Sequence, residues 1–158
     1  MDFALESDQN LTLPAFKLAA TPDQLITEKD LAGRSLVLYF YPKDNTPGCS
    51  QQGQDFRDLY QEFTALNCAI VGVSKDTLTK HQNFKAKYNF PFELISDPEE
   101  VICRAFDVIK LKKNFGKEYM GIERSTFLLN STGQVCASWR KVKVADHAQT
   151  VLNTLKNL

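Results

Sequence analysis

Residues 35–41, SLVLYFY, carry no charge, and residues 68–74, CAIVGVS, form a second run of the same kind. A strand with one face in water alternates apolar and polar side chains, whereas an unbroken apolar run fits a strand covered on both faces, as in a parallel sheet. Between the two runs Phe56, Leu59, Tyr60, Phe63 and Leu66 fall at helical period and predict one apolar helix face. Parallel strands need a crossover connection, and a helix there supplies it. This unit alone directs the chain toward an α/β design in which helices cover a sheet.

The same alternation continues downstream. Asp76 is placed to cap a helix running to Tyr88, with Leu78, Phe84 and Tyr88 inward, and residues 92–96 read as a short strand. Asp97-Pro98 predicts a helix start with proline in the first turn. Residues 125–130 and 134–140 flank a Ser-Thr-Gly turn as a hairpin, and Ala148, Val151, Leu152, Leu155 and Leu158 mark a closing helix. No repeat, low-complexity tract or linker interrupts this order, so residues 1–158 are expected to form one domain. The expected class is α/β with a thioredoxin-like order of elements, a central mixed sheet flanked by helices on both faces.

Charge and cysteine usage narrow the function. Lys plus Arg and Asp plus Glu number 19 each, so no global field draws the chain to nucleic acid or to an anionic membrane. No stretch approaches the apolar length of a membrane span, and the acidic start MDFALESDQN does not suit a secretory signal; a cytoplasmic location is expected. Cys49, Cys68, Cys103 and Cys136 are scattered, with no CxxC and no zinc-type spacing. Neither a disulfide scaffold nor a metal or cofactor is expected. His81 and His147 stand alone in helical contexts, where surface or capping roles are expected, and Trp139 is expected to pack against the sheet.

The segment YPKDNTPGCSQQ, residues 41–52, stands apart. It follows the first apolar strand and opens the next helix, which brings Cys49 to the carboxyl edge of the sheet, the usual ligand edge of open α/β folds. Free amides and the helix dipole there favour a thiolate. Pro42 and Pro47 restrict the loop, and Thr46 brings a hydroxyl three residues before the sulfur. A buried structural cysteine at a tight strand-to-helix turn accounts for the spacing equally well.

Pro42, Thr46 and Cys49 match the PxxxTxxC signature of peroxiredoxins, and YPKDNTPGCS resembles the bacterioferritin comigratory protein branch, also called peroxiredoxin Q. HQNFKAKYNFPFELISDPE (81–99), GKEYMGIERSTFLLN (116–130) and WRKVKVADHAQTVL (139–152) resemble the same branch in the same order. The resemblance implies a thiol-dependent peroxidase acting on hydrogen peroxide and organic hydroperoxides. Cys49 would be oxidised to a sulfenic acid, with Thr46 hydrogen-bonding the sulfur or the peroxide, Arg124 bringing positive charge, and Pro42 shielding the pocket.

Both positions where this branch often carries a resolving cysteine differ here: five residues past Cys49 stands Gln54, and the position in the following helix is Lys85. Gln52 stands where a glutamate is often found. Cys68 is expected at the sheet edge opposite Cys49, and Cys103 and Cys136 as packing residues, with a resolving role for either of these two left open. The preferred expectation is a one-cysteine mechanism with thioredoxin, glutaredoxin or a small thiol as outside reductant. A peroxide sensor forming mixed disulfides with a client protein is the alternative. Lys110, Lys112, Lys113 and Lys117 around Phe115-Gly116 read as a solvated loop, or as a docking point for an acidic reductase. A monomer is expected, with a dimer possible.

Overall fold

The computed structural model describes residues 8–158. In chain order the elements are β1 (Lys17–Ala20), β2 (Gln24–Thr27), α1 (Glu28–Leu31), β3 (Ser35–Phe40), α2 (Pro47–Asp58), α3 (Tyr60–Ala65), β4 (Cys68–Ser74), α4 (Leu78–Tyr88) and β5 (Glu93–Ser96). There follow α5 (Val101–Ala105), β6 (Ile109–Asn114), β7 (Lys117–Ile122), β8 (Ser125–Leu129), β9 (Val135–Arg140) and α6 (His147–Lys156). Seven strands form one mixed sheet in the order β2-β1-β5-β4-β3-β8-β9, and β6 and β7 pair separately.

The two apolar runs become the centre of the sheet. β3 pairs in parallel with β4, from Ser35 opposite Cys68 to Phe40 opposite Val73, and antiparallel with β8. Alternation along β3 divides its side chains between two layers. Leu36, Leu38 and Phe40 pack with Ile102, Phe106 and Phe127 on one face. Val37, Tyr39 and Tyr41 pack with Phe56, Phe63 and Phe84 on the other. Burying each such side chain is worth about 1.5–3 kcal/mol, and a helix as short as α2 or α4 holds its shape through that packing rather than through propensity. The sequence-predicted helices on both faces are present: α5 contributes to the first layer, and α2, α3, α4 and α6 to the second.

Several local expectations need correction. The single amphipathic helix spanning Phe56 to Leu66 is two helices broken at Leu59, and Leu66 ends up exposed while Phe56 and Phe63 are buried. Asp76 does not cap α4. Thr77 does, accepting from the Lys80 amide, while the Asp76 carboxylate accepts from Ser74 Oγ. Asp97 does serve a helix start, but α5 begins only at Val101, its first three amides donating to the Asp97 carboxylate. The lysine-rich stretch read as a solvated loop is the β6–β7 hairpin, and the short edge pair β1–β2 lacked a sequence signal. No helix among the described residues is long and apolar enough to cross a membrane.

Candidate active site

The chain leaves β3 at Phe40, and Tyr41 extends the pairing through its amide to Val73 O at 3.1 Å. Thr46 then takes extended backbone angles as the N-cap of α2, Pro47 occupies the first turn, and Cys49 is the third helical residue. Ser50 N donates to Thr46 O at 2.8 Å, the first bond of the helical ladder. The amides of Gly48 and Cys49 therefore precede the ladder, no side chain caps this end, and the positive pole of the helix lies at the sulfur.

Arg124, in the connection from β7 to β8, reaches the same point. Its Nη2 donates to Cys49 Sγ at 3.5 Å and its Nη1 to Gln52 Oε1 at 2.7 Å. Gln52 lies one helical turn beyond Cys49 and both side chains are buried. Its amide oxygen performs the orienting task open to a carboxylate while leaving the guanidinium charge uncompensated. Gln52 Nε2 is buried without a partner among the described residues. A β-carbon on Gly48 would stand 3.1 Å from Arg124 Nη2, so the glycine keeps the approach open. Thr46 Oγ1 donates to Lys43 O at 2.9 Å rather than to the sulfur. Pro42, half-buried, lies on the same loop. The structure thus joins Cys49, Arg124 and Gln52 directly, and holds Thr46 and Pro42 on the segment that leads to them.

Two buried histidines overturn the expectation of surface or capping roles. His81 is completely buried: Nδ1 lies 2.6 Å from Asp44 Oδ2 and Nε2 3.0 Å from Ile95 O. Tyr41 Oη donates to Asp44 Oδ1 at 2.6 Å, and the Asp44 amide donates to Asp76 Oδ2 at 2.8 Å. The loop ahead of Thr46 is thereby anchored to β3 and α4. Asp44, Asp76 and His81 bring a ligand atom each within 4.8 Å of one another, yet Asp44 and His81 are bonded to each other and Asp76 to Ser74 and the loop amide. His147 Nε2 meets Thr126 Oγ1 at 2.8 Å beneath Trp139 and Phe56. Burial first, and the Arg124 charge second, push its pKa down to about 4. A signal was present in the sequence: His81 shares the helical face of Phe84 and Tyr88, and His147 that of Val151.

The other cysteines are placed elsewhere. Cys68 pairs with Ser35 at the far end of β3, where burial pushes its thiol up to about 12. Cys136 lies beside the β8–β9 irregularity at that same end, its Sγ donating to Leu128 O at 3.1 Å. Cys103 belongs to the layer on the opposite face of the sheet from Cys49.

Residues 10–138 match the AhpC/TSA family. The chain is 51% identical to peroxiredoxin Bcp of Bacillus subtilis over 145 residues, 92% of each chain. It is also 51% identical to peroxiredoxin Bcp of Xanthomonas campestris over 154 residues, 95% of this chain and 96% of that one. Among solved structures, peroxiredoxin Q of Xanthomonas campestris superposes with a TM-score of 0.88 at 51% identity, covering 95% of this chain and 98% of that one. Other structures of that protein concern its alkyl peroxide reduction activity in a trapped intermediate/ligand complex, and variants with serine at either of two cysteines. The chain belongs to the AhpC/TSA family, within it to the peroxiredoxins of the bacterioferritin comigratory protein type, and is a thiol peroxidase.

Proposed function

We propose that Cys49 is the peroxidatic cysteine of a one-cysteine enzyme that reduces hydrogen peroxide and organic hydroperoxides with an outside thiol. The observation that carries this reading is the Arg124 guanidinium on Cys49 Sγ in the uncapped first turn of α2. The thiolate attacks the terminal peroxide oxygen; an S–O bond forms as the O–O bond breaks, and sulfur is oxidised to sulfenic acid. The leaving oxygen takes the electron pair, then a proton, and departs as alcohol or water. Arg124 and the first-turn amides oppose the negative charge as it moves from sulfur to oxygen. Thr46 Oγ1, its own hydrogen given to Lys43 O, is free to accept the peroxide O–H. Pro42, half-buried on the same loop, is assigned to shield the sulfur from water.

Regeneration needs two thiols. The first attacks the sulfenic sulfur, releasing water and leaving a mixed disulfide; the second releases Cys49 and carries away the disulfide. Register supports an outside source: Cys68 stands opposite Ser35, five residues or about 16 Å along the strand from Phe40, and Cys136 lies level with Leu36 and Val37, three to four residues or about 10–13 Å from it, against a Cα limit near 7 Å for a disulfide. The two cysteines replaced in the Xanthomonas structures are 36 positions apart in that chain, and the same spacing from Cys49 arrives at Lys85. Thioredoxin, glutaredoxin and small thiols are the candidate reductants. Two apolar layers on one sheet support a single domain, and four free cysteines suit the reducing cytoplasm.

The test is the intact mass after one equivalent of hydrogen peroxide, with and without a sulfenic-acid trap. A trapped adduct on Cys49 is expected. Loss of two hydrogens, mapped to Cys49 and a second cysteine of the same chain, overturns the one-cysteine reading. A sensor rather than an enzyme is indicated if the oxidised chain is not returned to the thiol by any of the three reductants.

A further inference from the structure

The β6–β7 hairpin carries half of the large apolar side chains exposed among the described residues: Leu111, Phe115, Tyr119 and Met120, with Phe115 at 97% exposure. Single exposed apolar residues are ordinary; four gathered on one hairpin mark an interaction surface. Leu111 stands opposite Met120, directly outside the buried pair Ile109 and Ile122, so an apolar strip runs from the core into solvent.

Two residues after β7 ends at Ile122, the hairpin leads into Arg124, which donates to Cys49 Sγ. Lys112 stands opposite Tyr119, and both side chains cross Gly121: a β-carbon there would meet the Tyr119 ring at 3.1 Å and Lys112 Cδ at 3.3 Å. Arg124 follows three residues later. Lys112 is half-buried, and the charges of both Arg124 and Cys49 act on it. The hairpin is also strongly cationic in a chain of zero net charge, with four lysines against Glu118 alone. Lys110 pairs with Asp107 and Lys113 with Glu118, while Lys112 and Lys117 have no ion pair among the described residues.

We propose that this hairpin is the docking surface for an acidic protein dithiol that reduces oxidised Cys49, the reductant's apolar rim resting on Leu111, Phe115 and Met120 and its carboxylates meeting Lys112 and Lys117. The proposal rests on the outside-thiol reading above. Charge selects this occupant over a second copy of the chain, since a two-fold contact through the hairpin sets lysines against lysines. A small thiol needs no apolar strip of this extent.

The experiment compares steady-state peroxide turnover of the full chain with two reductants, a thioredoxin of net negative charge and dithiothreitol. The variants are Lys117→Glu and the pair Phe115→Ser with Met120→Ser. Each is expected to raise the KM for thioredoxin about tenfold or more, leaving dithiothreitol-supported turnover and the rate of Cys49 oxidation unchanged. The wild-type KM for thioredoxin is expected to rise with salt. Equal KM in wild type and variants, or turnover with dithiothreitol alone, overturns the docking surface. So does a dimer, or binding to phosphatidylserine vesicles, that the same variants abolish while the thioredoxin KM stays put. Failure of thioredoxin, dithiothreitol and glutaredoxin alike to sustain turnover overturns the outside-thiol reading itself, a result distinct from all of these.

Discussion

Cys49 and Cys103 occupy equivalent positions, the third residue of α2 and the third residue of α5, and both are buried. Their surroundings are opposite. At α5 the first three amides donate to the Asp97 carboxylate, at 2.7, 2.9 and 2.9 Å, and burial together with that negative charge pushes the Cys103 thiol well above its ordinary range. At α2 no side chain among the described residues takes the amides, and the charge that faces the sulfur is the Arg124 guanidinium. A helix N-terminus is therefore not enough to prepare a thiol for attack. On the peroxidatic reading proposed for Cys49, what occupies the amides, and which sign of charge faces the sulfur, separates a nucleophile from a packing residue.

The largest effect that sharpens this contrast is on peroxide consumption: Cys49→Ser should abolish it, and replacing Cys68, Cys103 and Cys136 together should leave most of it. Substantial consumption without Cys49 would break the contrast at once. Arg124→Ala should slow Cys49 oxidation about 100-fold, the usual consequence of removing one preorganised donor from a developing charge, with little change in the unfolding midpoint. Stopped-flow fluorescence or competition with a reference peroxidase would measure it.

His147 reports the same positive field. Its folded pKa is depressed to about 4 from 6.5, so the unfolded chain binds the proton more readily, and stability falls as pH drops from about 6.5 to 4. The loss amounts to about 3 kcal/mol at the acid end. Urea unfolding across that window should show it in the wild type and not in His147→Gln. Arg124→Ala should make the fall smaller and end it at higher pH, with the onset near 6.5 unchanged, because the cation contributes to the depression.

Asp97→Asn tests the other member of the pair. Weakening a charged cap on three amides should cost about 2 kcal/mol, while Cys103 stays unreactive to iodoacetamide in the folded protein because it remains fully buried, the largest cause of its raised pKa. Rapid labelling of Cys103 in that variant would show that Asp97 alone had been restraining it. The smallest effect belongs to Gly48→Ala. The added methyl meets Arg124 Nη2 at 3.1 Å, the flexible arginine gives way, and oxidation slows by less than in Arg124→Ala.

Much of this arrangement was legible in the residues. Unbroken apolar runs are ambiguous between helix and strand, but their length and the helical period between them identified β3 and β4, whose register then proved parallel. The turn chemistry of residues 42–49 located Cys49 at the edge of the sheet. Arg124 was named only through the resemblance of its segment, since an arginine beside a strand carries no pattern of its own. The histidines were misread because an isolated polar residue in a helix is ordinarily solvated. His81 is buried only because Asp44, 37 residues earlier in the chain, and Ile95 O meet its two nitrogens. The β6–β7 hairpin was missed because its alternation, Ile109-Lys110-Leu111-Lys112, lasts only four residues before the lysine-rich, exposed residues 113–120 take over.

By itself the sequence determined the α/β crossover, the two-layer core and the presence of one cysteine at the start of a helix. These follow from local periodicity and turn residues, which act over a few positions. Only the tertiary structure decided which cysteine faces a cation and which an anion. Arg124 comes 75 positions after Cys49, and it arrives at the sulfur because β8 lies antiparallel beside β3, so that the connection entering β8 is delivered to the same edge of the sheet as the loop leaving β3. Electrostatic pairing of this kind depends on distance in space, and folding alone supplies it.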